Sequence, residues 1–366
     1  MKILILSWRD IKSPFSGGAE VFTFENAKRW VKAGHEVTWF ASAVKDAPAQ
    51  ETIEGVHIIR RGAEITVQLR AFLCYRKLFK GKFDLILDQI NTIPFFTPLY
   101  VKEKKIAIIF QLAREVWFYE AIFPISLIGY ILEFIYLKLY KKIAVITISE
   151  STKQDLLGLG FTNKISVVPV GILQKLYVDT VVKDKNELSL VYLGRLRRSK
   201  RVDHIIKAVY LLKKELPGIK LKIIGSAGKP DYIKKLHKMV KKYGLTDNVC
   251  FYGYVNDQEK QQLLARAHVL VITSIREGWG LVVSEANSLS TIAIGYNVAG
   301  IRDSIADGFT GLLTKRNTAL SLAQALLDFY RQRDKYAPLY KNALENSKKL
   351  TWDFSARSTL EAIDEP

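Results

Sequence analysis

Short apolar runs recur at residues 3–6, 36–40, 85–87, 106–110 and 144–148, with helix-compatible stretches between them. A second series follows at 188–193, 221–224, 249–251, 269–273 and 292–295. Strands that alternate with helices imply βαβ units and parallel sheets, because parallel strands need a crossover long enough to hold a helix. Residues 175–187, between the two series, are polar and bury little, which predicts a linker. A chain of 366 residues is also too long for one core. The expectation is an α/β protein of two domains.

The first run, Met1-Lys-Ile-Leu-Ile-Leu-Ser, reads as the opening strand of a parallel sheet. It is too short for a signal peptide and leads straight into a glycine loop. Cys74 and Cys250 lie far apart with no metal or redox spacing, as expected of free thiols in a reducing cytosol. The five histidines show no ligand spacing either.

Chemistry concentrates in two places. Residues 277–285 read Glu-Gly-Trp-Gly-Leu-Val-Val-Ser-Glu, two carboxylates around a Gly-x-Gly turn, after a β-rich run and before a helical stretch. A strand, a glycine turn and a helix start gather free backbone N–H groups that suit an anion. Two acids beside a phosphate would repel it unless they grip neutral hydroxyls. A phosphate held between two polyols is a nucleotide-sugar. The second place is residues 190–209, a buried strand, a basic loop and an amphipathic helix. It sets Arg195 and Lys200 at the C-terminal edge of a strand, where open α/β sheets bind ligands. Arginine offers a bidentate fork and lysine a point charge, and a diphosphate uses both. Taken alone, that run reads equally as a solvated basic loop.

Together these segments resemble the retaining glycosyltransferases of family 4, with the GT-B fold, over nearly the whole chain. Ser16-Gly17-Gly18-Ala19-Glu20 is similar to the family's N-terminal glycine loop, and Ile146-Thr-Ile-Ser149-Glu150 to the segment closing its first domain. Gly194-Arg195 with Lys200 resembles the phosphate-binding pair, Glu277 and Glu285 the paired acids, and Gly308-Phe-Thr-Gly311 the late glycine turn. The resemblance implies two Rossmann-like domains facing each other across a cleft. The first, over 1–172, would bind acceptor and the second, over 188–350, the nucleotide-sugar; 351–366 would form a helix crossing back to the first. It implies catalytic roles for Arg195, Lys200 and Glu277, with Glu277 on donor-sugar hydroxyls and Glu285 on ribose hydroxyls. Gly278, Trp279, Gly280 and Leu281 would line the donor, and Gly253 and Tyr254 the base. Gly17 and Gly18 would face the diphosphate, although from the residues alone they read equally as a plain βα turn. Trp279 either lies near the donor or packs the turn.

Transfer of a sugar leaves growing negative charge on the diphosphate, which Arg195 and Lys200 would stabilise as it develops. No Asp-x-Asp occurs in the chain, so no cofactor and no divalent metal are expected. A helix of eight residues spans about 12 Å, so Glu277 and Glu285 do not form the close carboxyl pair, about 5–5.5 Å apart, of a retaining hydrolase. One position departs from the family. Many relatives carry histidine at the end of the fourth strand of the first domain, near the donor sugar's 6-hydroxyl, where this chain has Phe110. Either Gln111 or Arg114 takes over that contact, or the donor does not use a 6-hydroxyl.

Residues 121–140 are very apolar but carry Pro124, Gly129 and Glu133 and end in Lys141-Lys142. A spanning helix needs ~20 mostly apolar residues, so two readings remain, a buried crossover helix or an interfacial one. Net charge of +19 and a pI of 9.6 favour anionic surfaces. The expectation is a cytoplasmic protein, peripheral at the inner face of the cell membrane, with a UDP- or GDP-linked donor and a glycan or lipid-linked acceptor. A nucleic-acid binder would interleave aromatics with its charges, and none are so placed. Gly158-Leu-Gly160 lacks the third glycine of a dinucleotide fingerprint. The alternatives are a GT-B relative that binds nucleotide-sugar with another reaction, such as a phosphorylase or epimerase, or a basic nucleic-acid-binding protein.

Overall fold

The computed structural model describes residues 1–173, 183, 187–226 and 228–364. The predicted linker at 175–187 therefore lies outside the described residues, apart from Lys183 and Glu187. The chain divides into two compact units, Met1–Trp117 with Phe123–Gly171 and Thr351–Pro366, and Phe118–Ile122 with Ile172–Leu350. Both are α/β with parallel sheets.

The first unit holds an eight-stranded sheet. Its strands are β1 (Lys2–Leu6), β2 (Glu36–Ala41), β3 (Gln50–Ile53), β4 (Val56–Arg60), β5 (Leu85–Ile90), β6 (Lys104–Ile109), β7 (Ala144–Thr147) and β8 (Ile165–Val167), in the order β3-β4-β2-β1-β5-β6-β7-β8. All pairings are parallel except β3 with β4. Ile3, Leu4, Ile5 and Leu6 are fully buried because helices cover both faces of a parallel sheet. The β3–β4 hairpin escapes the apolar pattern, since Gln50-Glu-Thr-Ile is half polar and lies on the sheet edge; its turn has Glu54 and Gly55 at positive φ.

The helices of this unit are α1 (Gly18–Lys32), α2 (Val67–Cys74), α3 (Val116–Glu120), α4 (Ile125–Leu137) and α5 (Glu150–Gly158). Helix α3 starts in the first unit, and its end passes into Phe118–Ile122 of the second. Helix α4 is inside out. Ser126, Gly129 and Glu133 are buried, whereas Ile125, Ile128, Ile131, Leu132 and Ile135 are exposed. Two contacts orient it. A Cβ at Gly129 would stand 2.6 Å from the Trp117 ring, and the Glu133 carboxylate accepts from the N–H groups of Ala113 and Arg114 at 2.6 and 2.7 Å. Most apolar residues of 121–135 therefore face outward, while Tyr136, Leu137 and Tyr140 at the end of the segment join the core. Among the described residues, no helix is long and apolar enough to cross a membrane.

The second unit holds a six-stranded, wholly parallel sheet: β9 (Ser189–Leu193), β10 (Lys220–Ile224), β11 (Val249–Gly253), β12 (Val269–Ile272), β13 (Ile292–Gly295) and β14 (Gly311–Leu313), ordered β11-β10-β9-β12-β13-β14. Helices α6 (Val202–Leu212), α7 (Pro230–Lys242), α8 (Asp257–Arg266), α9 (Leu281–Asn287), α10 (Ile301–Ser304), α11 (Ala319–Arg331) and α12 (Arg333–Ser347) cover it. Alternate residues of β12 feed opposite layers. Val269 and Val271 pack with α6 and α11, and Leu270 and Ile272 with α8 and α9. The last helix, α13 (Trp352–Asp364), belongs to the first unit and packs on α1. Trp30 Nε1 donates to the Ala356 carbonyl at 3.1 Å, and Asn26 meets Ser355 and Thr359.

Candidate donor site

In the second unit the chain steps outward from β9 to β10 to β11, then returns to the other side of β9 as β12. The loops after β9 and β12 therefore leave the C-terminal sheet edge on either side of a topological switch point, the place where open α/β sheets open a crevice. Arg195 and Lys200 stand on the first loop and Glu277 to Gly280 on the second.

The two loops are joined. Lys200 Nζ donates to Glu277 Oε1 at 2.5 Å, and Ser274 Oγ donates to that same oxygen at 2.5 Å. Thr273 Oγ1 donates to the carbonyls of Lys200 and Arg201 at 3.0 Å each, and Ile275 N–H to the Ser199 carbonyl at 2.8 Å. Tyr192, buried on β9, donates its hydroxyl to the Arg195 carbonyl at 3.0 Å, which sets the turn that carries Arg195.

Glycines let the backbones close in. A side chain at Gly225, after β10, would run into the Gly194 carbonyl, and one at Gly228 into the Leu196 carbonyl. Gly300 is pressed as tightly against the backbone of Glu277. Gly278, Trp279 and Gly280 on the second loop and Leu281 at the start of α9 are partly buried. Trp279 Nε1 donates to Ser284 Oγ at 3.0 Å, so the indole packs across its own turn.

Glu285 lies on α9, with Lys260 of α8 as its nearest cation at 3.9 Å. Burial pushes its carboxyl above the ordinary range, with Lys260 pulling back the other way. Glu277 and Glu285 thus engage different cations. Gly253, at positive φ, ends β11 with nothing within 4 Å of the place a Cβ would take, and Tyr254 beside it is 85 % exposed. An open glycine and an unpacked aromatic suit contact with a planar base.

The remaining sequence-chosen residues lie in the first unit. Gly17 precedes α1 and donates its N–H to Glu20 at 2.8 Å, and Gly18 begins the helix. They follow β1, where this sheet has its own switch point between β1 and β5. Phe110 is buried with its ring edge-on to Phe22, 5.3 Å between centroids, and its carbonyl accepts from Thr152 Oγ1 at 3.2 Å.

Sequence reasoning missed four participants. Ser274 shares the Glu277 oxygen; its position just past the 269–273 run is the signal that marks it. Gly225 and Gly228 follow another apolar run in the same way. Glu120, on the segment Phe118–Ile122 of this unit, accepts from Ser199 N–H at 3.2 Å and Ser199 Oγ at 2.5 Å, while Lys229 Nζ donates to its carbonyl at 2.6 Å. No local pattern announces that contact. Among the described residues, no three His, Cys, Asp or Glu side chains are grouped as a metal site requires.

Two family profiles match successive parts of the chain, Glycosyltransferase Family 4 over residues 16–173 and Glycosyl transferases group 1 over residues 176–346. The chain is 28 % identical over 214 residues to a D-inositol 3-phosphate glycosyltransferase of Paenarthrobacter aurescens, covering 56 % of this chain and 52 % of that protein. The chain thus spans about half the length of the curated relatives it matches. Among solved structures, sucrose-phosphate synthase from Thermosynechococcus elongatus superposes with a TM-score of 0.81 at 19 % identity, covering 98 % of this chain and 97 % of that one. HepE of Anabaena, in complex with UDP and glucose, superposes with a TM-score of 0.77 at 18 % identity, covering 99 % of both chains. At these identities the likeness establishes the shared GT-B fold.

Proposed function

The chain belongs to the group 1 glycosyltransferases of the GT-B fold, and from that premise we propose that it moves a sugar from a nucleotide-diphosphate donor to a glycan or lipid-linked acceptor, with retention and without a divalent metal. The observation that carries this reading is the junction of Lys200, Glu277 and Ser274 at the switch point of the second sheet. A cation and a carboxylate together at one sheet edge support a site that takes a phosphate and hydroxyls.

In this reading Arg195 and Lys200 hold the donor diphosphate. Lys200 exchanges its carboxylate partner for a phosphate oxygen, and the freed Glu277 accepts from donor-sugar hydroxyls. Glu285 accepts from the ribose, Gly253 and Tyr254 bound the base, and the 278–281 turn lines the sugar and phosphate. As the anomeric C–O bond to phosphate breaks, charge builds on the leaving diphosphate, and fixed cations stabilise that charge more than the ground state. The acceptor oxygen bonds to the same face of the anomeric carbon, and its proton passes to the departing phosphate oxygen. Fixed cations supply the compensation that a metal supplies elsewhere. Gly17 and Gly18 leave room for a close approach to the diphosphate, and Phe110 offers no hydrogen bond to a 6-hydroxyl. The glucose and UDP held by HepE support a UDP-linked donor, with a GDP-linked one as the competing choice.

We assign the protein to the cytoplasmic face of the cell membrane as a peripheral protein rather than a nucleic-acid binder. The outward apolar face of α4 and the net charge of +19 support this. A thermal-shift panel of UDP-, GDP- and dTDP-sugars in EDTA tests the donor site, since a ligand of the folded state raises Tm. Stabilisation by one nucleotide series, lost in Lys200→Ala, is expected. A shift that requires added metal, or one that survives Lys200→Ala unchanged, defeats the reading.

A further inference from the structure

Helix α4 is not the only element that exposes apolar side chains on its side of the sheet. The register shows which side that is. Leu4 pairs with Ile86, Leu6 with Asp88, Asp88 with Ala107, and Ala107 with Val145, so these residues share one sheet face. Helix α2 packs on Leu4, Leu6 and Ile86, whereas Tyr136 and Leu137 at the end of α4 and Tyr140 just after it pack on Ala107, Ile109 and Val145. Both helices therefore lie on the same face of the first unit. Between them Tyr100 stacks edge-on with Phe72 and Tyr75 of the α2 region, and Thr97 and Tyr140 share the buried Asp88.

Helix α2 and the turn after it, Tyr75–Phe79, differ from α4 in charge. Leu69, Leu73 and Leu78 are exposed, and so are Arg70, Arg76, Lys77, Lys80 and Lys82. No acidic residue occurs from 67 to 82. Leu69 and Leu73 lie one turn apart on α2, and the exposed Arg76, Lys77 and Lys80 follow directly in and after the Tyr75–Phe79 turn, so cations and leucines share one exposed segment. A basic segment mixed with leucines beside an apolar helix complements an anionic bilayer, whose headgroups are negative and whose interior is apolar.

We infer that α2 and its following turn form a second, electrostatic membrane contact that binds anionic phospholipid headgroups while α4 inserts its apolar face. This rests on the peripheral attachment proposed above and adds that the face recognises lipid charge through a defined segment, not through the net charge of the chain. The bilayer then has a fixed orientation relative to the first sheet.

The test compares two triple variants of equal charge change, R76Q/K77Q/K80Q on the α2 turn and K234Q/K238Q/K241Q on the exposed basic face of α7. Co-sedimentation is measured at low salt with phosphatidylcholine vesicles, with and without phosphatidylglycerol, after melting curves confirm that both variants fold. The expected result is a fall on the order of 100-fold in partition to anionic vesicles for the α2 variant, as three surface charges warrant, and little change for the α7 variant. Equal losses in both would reduce the effect to net charge and overturn the inference, as would a loss confined to α7. If the wild type ignored every vesicle, peripheral attachment itself would fall. If the wild type bound and the α2 variant bound equally well, only this inference would.

Discussion

Lys200 Nζ stands 2.5 Å from Glu277 Oε1 across 77 residues of sequence, and Ser274 Oγ holds that same carboxylate oxygen. The contact exists because β9 and β12 are neighbours, which sets the loops that follow them side by side. Each charge is kept paired before a donor arrives, and in the proposed mechanism the donor's phosphate and hydroxyls replace that pairing on binding, ahead of the chemical step.

Lys200→Ala and Glu277→Gln should each reduce turnover by about 10²–10³-fold, the size typical of losing one preorganised electrostatic contact. Because each side chain positions the other, the losses should be less than multiplicative in the double variant. Steady-state kinetics on the matching donor checks this. Losses that simply multiply would mean the pair acts as two independent residues.

Glu285 gives a pH signature. Burial raises its carboxyl pKa, so as pH falls it takes up a proton earlier than an ordinary glutamate does. The protonated form is a poorer acceptor for ribose hydroxyls. Nucleotide affinity should therefore be highest with Glu285 ionised and decline as the pH falls through that raised pKa. Titration calorimetry from neutral to mildly acidic pH reads the decline, and Glu285→Gln should flatten it. An unchanged profile in that variant removes Glu285 from the ribose role.

Asp10 and Arg60 test the loop that leads to Gly17. The Arg60 guanidinium forks onto Asp10 at 2.6 and 3.1 Å, also contacts Glu51, and donates to the Pro48 carbonyl at 2.9 Å, with Asp10 and Arg60 both buried. Asp10→Ala leaves buried Arg60 with Glu51 as its remaining carboxylate, so the loss should fall below the ~3–5 kcal/mol of a fully unpaired buried charge. Thermal melts should show the first unit lose stability, while Asp10→Glu recovers part of it. A melt within error of wild type would contradict this.

The Phe110 ring, turned against Phe22, has no hydrogen-bonding group to discriminate a sugar at C6. The donor is accordingly expected to be a 6-deoxy sugar or a pentose, or one whose 6-hydroxyl goes unread. Phe110→His should raise kcat/KM for 6-hydroxy donors relative to 6-deoxy ones, measured by competition between the two. An unchanged ratio would rule out a role for this position in donor choice.

Much of the fold was legible because it is written locally. Ten apolar runs at helical separations announced two parallel sheets, and buried parallel strands must be apolar on both faces. Gly225 and Gly228 were harder to read, because their glycines matter only where the Gly194 loop presses against them. The β3–β4 hairpin was missed because half-polar edge strands lack the run that marks buried ones.

The 121–140 segment shows the limit most clearly. Its composition announced a very apolar helix, yet the choice between core and surface rested on Gly129 meeting Trp117 and Glu133 meeting two backbone N–H groups. Those contacts turn the small and polar residues inward and leave the isoleucines outside.

By itself, then, the sequence determined the alternating strands and helices, the glycine turns and the residue types able to hold a nucleotide-sugar. Those depend on backbone propensity and on spacing along a few turns of chain. Only the tertiary structure decided that Ser274 and Lys200 share the Glu277 oxygen, that Lys260 stands nearest Glu285, and that α2 and α4 share a face. Those relationships depend on strand order and on packing between distant segments, which no local window of sequence contains.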